Sequence, residues 1–216
     1  NPSEAMQVVG VTGTNGKTTS VTLLYDLFRL LGFKVGMIST VINKVHNKSV
    51  QSTHTTPDSL DLNKLLSSMV TKGCSYVFME VSSHSVDQER ISGINFYGSV
   101  FTNITRDHLD YHKTFDKYIA AKKKFFDELP ATAFALINAD QQHSDAIISD
   151  SKAKVYTYGL NAIADFRCKI LENRFDGMTL KLDSKEICTK LIGRFNAYNA
   201  LVAYAVGVLL GQDKTD

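Results

Sequence analysis

Cysteine is scarce and unpatterned in this 216-residue sequence: Cys74, Cys168 and Cys188 are odd in number and show no metal-type spacing. That excludes a disulfide framework and a thiolate metal site. It leaves three reduced thiols, as expected of a cytoplasmic protein. Charge of one sign is lacking as well. With 24 Lys and Arg against 22 Asp and Glu, the formal net charge is only +2, and composition makes no case for a nucleic-acid binder. Long apolar runs are missing too. The most apolar stretch, residues 197–210, holds Asn199 and two tyrosines, and reads as a buried helix rather than a membrane span. No secretory leader pattern opens the sequence, and no internal repeat or low-complexity stretch interrupts it.

What is present is ordinary globular material, 44% hydrophobic and 21% charged. At this length it can bury one large core, with a small subdomain at most. Residues 1–4 and 211–216 flank the outermost predicted elements closely, so no second domain is expected at either end.

One stretch organises the rest: Val8-Val9-Gly10-Val11-Thr12-Gly13-Thr14-Asn15-Gly16-Lys17-Thr18-Thr19. A valine-rich run leads into glycines, a lysine and two threonines, and an amphipathic run follows. This is the order strand, glycine-rich loop, helix that cradles a nucleotide phosphate. Glycines let backbone N–H groups turn toward an anion, and the helix N-terminus adds its dipole. Lys17 offers a point charge to the β- and γ-phosphates, and Thr18 a hydroxyl to Mg²⁺. Val11 stands where the usual loop has its first glycine, which makes this a variant, G-x-x-G-x-x-G-K-T-T, with Gly10 counted as its first member.

Downstream, Val21, Leu24, Leu27, Phe28 and Leu31 recur at helical spacing, with Gly32 as C-cap. Residues 34–40 read as a strand and 41–51 as a loop or small hairpin. Pro57 suits the first turn of a helix capped by Thr56 and running to about Met69, and Gly73 closes that unit. Residues 76–80 form an apolar strand ending in Glu80. In an open parallel sheet, ligands bind beyond the carboxyl ends of the strands, so Glu80 should neighbour the phosphate loop. An acid there is what a phosphate-bound Mg²⁺ needs; a solvated charge at a strand end is the alternative. The strand at 97–102 delivers a polar cluster, residues 103–112. His108 and His112 within it have the i, i+4 spacing of a helical metal pair, while Asp107 or Asp110 could cap a helix.

The next helix carries Phe115, Tyr118, Ile119, Phe125, Phe126 and Leu129 on one stripe. Lys123 and Lys124 fall off the stripe and read as solvated. Lys122 falls in its centre. A lysine on an inward face snorkels, pairs with an anion, or becomes reactive through a shifted pKa, and the pattern favours a reactive or ligating role. Strands at 134–138 and 154–158, the latter followed by a turn at Gly159, bracket a short helix. From about 163 to 192 the alternation suggests a small antiparallel sheet with a turn at Asp176-Gly177, before the last helix opens at Arg194-Phe195-Asn196. The fold class is therefore α/β: a mostly parallel sheet of the P-loop NTPase kind flanked by helices, with a small antiparallel subdomain toward the C-terminal end.

These motifs together resemble one family, the ATP-dependent Mur ligases of peptidoglycan synthesis. The matching residues are Thr12-Gly13-Thr14-Asn15-Gly16-Lys17-Thr18-Thr19, Thr55-Thr56-Pro57, Glu80-Val81-Ser82-Ser83-His84, the cluster at 103–112, Tyr118-Ile119-Ala120-Ala121-Lys122, and Gly193-Arg194-Phe195-Asn196-Ala197-Tyr198-Asn199. Residues 80–84 and 107–112 look most like the branch that adds the third stem amino acid to UDP-MurNAc-L-Ala-D-Glu. The resemblance covers only the central ATPase domain, and implies that an N-terminal UDP-binding and a C-terminal amino-acid-binding domain are absent from this chain.

The resemblance further implies ATP and two Mg²⁺ as cofactors. ATP would be held by Gly13, Thr14, Asn15, Gly16, Lys17, Thr18 and Thr19, with Asn196 and Asn199 near the adenine. Thr18 and Glu80 would hold the first Mg²⁺, and His108 with Glu80 the second. Lys122 matches a lysine that carries a CO2-derived carbamate, which would help order a metal-bound acyl phosphate. Lys17, Lys122 and His108 would thus form the catalytic set. Thr55, Thr56, Ser82, Gln88 and Arg90 match positions that hold UDP-MurNAc-L-Ala-D-Glu, and the incoming amino acid would be meso-diaminopimelate or L-lysine. A monomeric cytoplasmic enzyme of cell-wall biogenesis, with no nucleic-acid or membrane partner, is expected. Two alternatives stand beside it: a relative such as folylpolyglutamate synthetase, and a P-loop nucleotide-binding module without ligase chemistry. The Thr-Thr-Pro and Val-Ser-Ser-His segments speak against the first.

Overall fold

The computed structural model describes residues 1–213; Lys214, Thr215 and Asp216 lie outside the described residues. A 3-10 turn, Pro2–Ala5, precedes β1 (Gln7–Thr12), which runs into α1 (Lys17–Leu30). Then follow β2 (Val35–Ile38), β3 (Ile42–Val45), β4 (Lys48–Gln51), α2 (Ser59–Thr71), β5 (Tyr76–Glu80), α3 (Ser83–Asp87) and β6 (Phe96–Phe101). The chain continues through α4 (Leu109–His112), α5 (Phe115–Asp127), β7 (Phe134–Asn138), α6 (Ser144–Ile148) and β8 (Lys154–Gly159). It ends with β9 (Phe166–Arg174), β10 (Gly177–Leu182), β11 (Lys185–Thr189) and α7 (Arg194–Leu209).

All eleven strands join one sheet in the order β11-β10-β9-β8-β7-β6-β1-β5-β2-β3-β4. The six strands from β2 to β8 across its middle are parallel, and hairpin strands at both ends are antiparallel. Polypeptide 41–51 forms the hairpin β3–β4. The expected antiparallel unit is β9–β11. It is not set apart: Tyr158 and Gly159 pair in parallel with Phe166 and Arg167, which fuses it to the main sheet and makes Gly159 a strand residue rather than a turn.

Both faces of the sheet are covered, which is why its central strands read as nearly continuous apolar runs. Leu62, Leu66 and Met69 of α2 and Tyr118, Phe125 and Phe126 of α5 fill one face. Val21, Leu24 and Phe28 of α1 and Leu201, Val202 and Val206 of α7 fill the other. Gly32 does stop α1. At φ +89° it takes a left-handed conformation, its N–H bonds to the Arg29 carbonyl and Phe33 N–H to that of Phe28, while the Phe28 and Phe33 rings meet at 5.9 Å. This pattern satisfies two orphan carbonyls of the helix end. The start of α2 differs from expectation. Asp58, not Thr56, is the cap, its carboxylate accepting from the N–H groups of Leu60 and Asp61, and Pro57 lies just outside the helix. Thr56 turns instead toward the end of β5, where its hydroxyl donates to the Glu80 carbonyl at 2.9 Å.

Gly10 also has a different task. It lies inside β1, not in the phosphate loop, and a Cβ there would sit 2.6 Å from the Phe125 ring. The bare backbone lets α5 settle onto the strand, which sets the height of Lys122 three residues earlier on the same helix face.

Candidate functional site

Parallel pairing brings the chemistry to one edge. β1 lies between β5 and β6, with Val11 opposite Glu80 and Thr12 opposite Phe101. The loop after β1, Glu80 ending β5, and the polar segment after β6 therefore leave the sheet side by side.

The loop itself is Gly13 to Gly16. Gly13 has φ +150° and a Cβ there would come within 1.9 Å of Thr102 Oγ1; Gly16 has φ +86° and caps α1. Neither place admits a side chain. The segment after β6 holds the loop from outside. Thr14 N–H donates to the Asn103 carbonyl (2.9 Å), Asn15 N–H to Asn103 Oδ1 (2.9 Å), and Thr102 Oγ1 to the Asn15 carbonyl (2.7 Å). Lys17 Nζ folds back onto the carbonyls of Gly13 and Thr14, both at 2.8 Å. Burial pushes its pKa down, against the opposing pull of Glu80 and Asp107.

Glu80 is 1% exposed, so its carboxylate needs partners. Thr18 Oγ1 (2.9 Å) and Thr40 N–H (2.8 Å) donate to Oε1, and Thr40 Oγ1 to Oε2 at 3.2 Å. Among the described residues no three His, Cys, Asp or Glu gather into a self-sufficient metal cage. One carboxylate beside a threonine hydroxyl at the start of a phosphate-loop helix is instead a donor set suited to Mg²⁺, which keeps most of its coordination for water and phosphate oxygens.

Lys122 is as buried as the helical pattern requires, at 1% exposure. Its Nζ lies 3.1 Å from the Gly13 carbonyl, 3.4 Å from Thr12 Oγ1 and 4.7 Å from the centre of the Tyr118 ring. Two amines thus share one carbonyl, that of Gly13. Burial first, and the Lys17 charge second, hold the Lys122 pKa well below the ordinary lysine value. Its neighbours Lys123 and Lys124 pair outward with Asp127 and Asp150 and with Glu89 and Glu128.

A second, smaller cleft of about 290 Å³ is lined by Lys17, His54, Thr55, Thr56, Ser82, His84, Arg90 and His108. It gathers four of the five residues assigned to the substrate, together with the loop lysine. Gln88 stays at the rim, holding Arg90. Ser82 Oγ caps α3 by accepting from Ser85 N–H at 3.1 Å, and Arg90 Nη1 donates to the Thr56 carbonyl at 3.0 Å. The His54 ring meets the adjacent Thr53 hydroxyl at 3.2 Å. The helical histidine pair is not formed. α4 is a single turn, and His108 caps it at φ +52°, with no capping bond from its side chain or from Asp110. Asp107 Oδ1 accepts the His108 N–H (2.9 Å). His112 turns inward to Ser83 Oγ at 2.9 Å, and burial together with His84 keeps its pKa low. His108 meets His84 edge-on at 4.9 Å instead.

The other side of the loop opens into a cleft of about 780 Å³ bordered by Asn15, Gly16, Thr19, Asn138, Arg194, Phe195, Tyr198 and Asn199. Asn196 does not border it. It accepts from Asn199 Nδ2 at 2.9 Å and so orients the asparagine that does. Sequence pattern alone misses Thr40, Thr102, Asn103 and Tyr118 as parts of the site. Tyr118 reads as core on its helical stripe, Asn103 stands out only within its polar cluster, and Thr40 and Thr102 carry no signal.

One further carboxylate shapes this cleft. Asp140 accepts from the N–H groups of Leu160, Asn161 and Ala162 and from the Tyr198 hydroxyl. Burial alone would raise its pKa, but these donors outweigh it and hold the carboxyl below its ordinary value. A depressed folded value contributes stability that is complete above the unfolded value of about 4 and fades as pH falls through the lower folded one. Asp140→Ala should therefore lower stability by roughly 2–3 kcal/mol near neutrality, a drop in Tm of about 5–10 °C. Thermal unfolding checks this, and the gap from the parent protein should narrow as pH drops below about 4.

A family model described as the Mur ligase middle domain matches residues 11–207. A curated relative from Cytophaga hutchinsonii, a UDP-N-acetylmuramoyl-L-alanyl-D-glutamate--2,6-diaminopimelate ligase, is 56% identical over 216 residues, covering 100% of this chain and 44% of the relative. A ligase of the same name from Parabacteroides distasonis is 55% identical over 213 residues, covering 99% of this chain and 44% of its own. A solved structure of a UDP-N-acetylmuramoyl-L-alanyl-D-glutamate--2,6-diaminopimelate ligase superposes with a TM-score of 0.87 at 30% identity, covering 97% of this chain and 44% of that one. A MurF structure from Acinetobacter baumannii, at 18% identity, TM-score 0.73 and coverages of 97% and 45%, shares the fold. The chain spans less than half the length of the curated relatives it matches.

Proposed function

The chain belongs to the Mur ligase family through its middle domain, and on that premise we propose that it supplies the ATP half of a ligase joining 2,6-diaminopimelate to UDP-MurNAc-L-Ala-D-Glu. The choice of diaminopimelate over lysine leans on the names of the most similar curated relatives. The UDP-binding and amino-acid-binding parts would lie in the length of those relatives that this chain does not span. No helix among the described residues is long and apolar enough to cross a membrane. With its three thiols unpaired, the chain suits a reducing cytoplasm.

The observation that carries this reading is the convergence of Lys17, Glu80 and Lys122 on the end of β1. In the reaction proposed, a substrate carboxylate oxygen attacks the γ-phosphorus of ATP and ADP leaves. The amine of the second substrate then attacks the acyl carbon, and phosphate departs with the carboxylate oxygen as the amide forms. The protein's part is to place anions and offset their charge. Lys17 would leave the Gly13 and Thr14 carbonyls for the β- and γ-phosphate oxygens. Thr18 and Glu80 would hold one Mg²⁺, and Glu80 with His108 a second; the ions when bound neutralise phosphate charge. Thr55, Thr56, Ser82, Gln88 and Arg90 would receive the anionic nucleotide-sugar peptide, and Arg90 suits a carboxylate. Asn199, steadied by Asn196, would face the adenine.

Lys122 would act as its carbamate. Its amine nitrogen adds to CO2, an N–C bond forms, and a proton passes to water. Only the neutral amine can do this, which is the form that burial and Lys17 favour. The product is an anion beside Lys17, so repulsion becomes attraction. In a P-loop module without ligase chemistry, Lys122 would need no special role.

The test is ligation. The full-length protein should release ADP and form amide only when ATP, UDP-MurNAc-L-Ala-D-Glu and diaminopimelate are all present. Residues 1–216 alone should bind Mg-ATP weakly and form none. Amide formation by residues 1–216 alone would sink the division of labour, and failure of the full-length protein to join these substrates would sink the activity.

A further inference from the structure

Asp87, Tyr111, Gln88 and Arg90 form a side-chain relay in which hydrogen-bond direction has one consistent solution. Arg90 can only donate, and both its Nε (2.9 Å) and its Nη2 approach Gln88 Oε1. That fixes the amide with its nitrogen turned away, 3.1 Å from the Tyr111 hydroxyl. Asp87 as a carboxylate can only accept, and Tyr111 reaches its Oδ2 at 2.7 Å. The single hydroxyl proton is therefore committed to Asp87, and the tyrosine oxygen accepts from Gln88. A donor-only cation at one end and an acceptor-only anion at the other leave the two groups between them no alternative.

The relay crosses between loops. Gln88 and Arg90 follow α3, beyond the end of β5; Tyr111 lies on α4, beyond the end of β6 and close to His108 in the chain. The Tyr111 ring is braced by His84 at 4.2 Å. Arg90 is held from its other side by the Thr56 carbonyl, and Thr56 in turn holds the Glu80 carbonyl. Three of the five guanidinium N–H groups are engaged, and two remain for a ligand in the cleft that Arg90 lines.

We propose that Tyr111 and Asp87 are positioning residues for the anionic substrate: they orient the Gln88 amide and, through it, present the Arg90 guanidinium to a carboxylate. This rests on the reading of Gln88 and Arg90 as substrate-binding residues. Neither Tyr111 nor Asp87 touches the nucleotide loop, so the effect belongs to one substrate alone.

In the full-length protein, Tyr111→Phe removes the bridging hydroxyl, and Asp87→Ala removes the acceptor that commits the hydroxyl proton. Each should raise KM for UDP-MurNAc-L-Ala-D-Glu by about 5–20-fold, since the network is partly solvated. KM for ATP should be unchanged and kcat kept within about twofold, a split that a general loss of fold would not give. The double variant should be no worse than the worse single one, because both break the same relay. Unchanged KM in both variants, or a lower kcat at constant KM, overturns the proposal. Should Tyr111→Phe fail to fold, Asp87→Ala, at an exposed position, carries the same test. If the parent protein joins no amino acid to this substrate, the underlying reading fails. A crystal structure of Tyr111→Phe then decides: a rotated Gln88 amide or a released Arg90 supports the relay, and side chains left in place overturn it.

Discussion

Replacing Lys122 by methionine is expected to lower ATP-dependent amide formation by about 10²–10³-fold, the loss typical of removing one group that stabilises developing charge. Methionine keeps the length and volume of the side chain. It can lie over the Tyr118 ring with its sulfur, and it removes a cation from a site 1% exposed. The Gly13 carbonyl still accepts from Lys17, and the buried Thr12 hydroxyl loses only a long contact of 3.4 Å. Stability should therefore hold while activity falls, and the two are separated by comparing thermal unfolding with steady-state ligation. A small carboxylate such as formate, added to Lys122→Ala, should recover part of the activity by filling the space with the missing negative charge. Full activity in Lys122→Met, indifferent to bicarbonate, would show that the residue is only a structural cation.

The second large effect belongs to Lys17. Lys17→Met should cost about 10³-fold in kcat/KM for ATP, near 4 kcal/mol of transition-state stabilisation, through both a higher KM and a lower kcat. KM for the nucleotide-sugar peptide should move far less, and isothermal titration with Mg-ATP should show the weakened binding directly. This variant also reaches Lys122. With the neighbouring charge gone, one of the two causes that hold the Lys122 pKa down is lost, and its value should rise. The neutral fraction at a given pH then shrinks, and activity should need more bicarbonate to reach its residual maximum. If bicarbonate dependence is unaltered, the coupling through the shared Gly13 carbonyl is not functional.

Features that depend on local periodicity are legible in the amino-acid sequence itself. The stripe on α5 puts Lys122 inward, and the strand–loop–helix order places Lys17 and Thr18. A strand ending in a carboxylate next to a phosphate loop follows from parallel topology alone, and Glu80 is there. What escapes is set by partners distant in sequence. Thr40 ends a run that reads as a strand, with no signal that its N–H and hydroxyl would close on a carboxylate forty residues on. Asp140 looks like any acid after a strand until Tyr198 and three backbone N–H groups converge on it. The wrong readings share one cause, since a spacing admits more than one backbone. His108 and His112 lie four apart, but a left-handed residue at His108 breaks the helical face that would pair them. Gly10 falls in a run of loop glycines, yet serves as a close contact between β1 and α5.

The position of β1 also bears on how the protein is made. Its pairing partners are remote: Val8 pairs with Val77 and Val11 with Val100. A chain emerging N-terminus first therefore presents the phosphate loop long before either strand that shapes it has been synthesised. Contacts of this kind are slow to close, and an apolar strand waiting for them is open to wrong partners meanwhile. On the proposed reading, the loop becomes a nucleotide cradle once β5 and β6 flank β1 on both sides. Mg-ATP should thus recognise the finished sheet rather than guide its assembly, and chain folding rather than ligand supply sets when the site first exists.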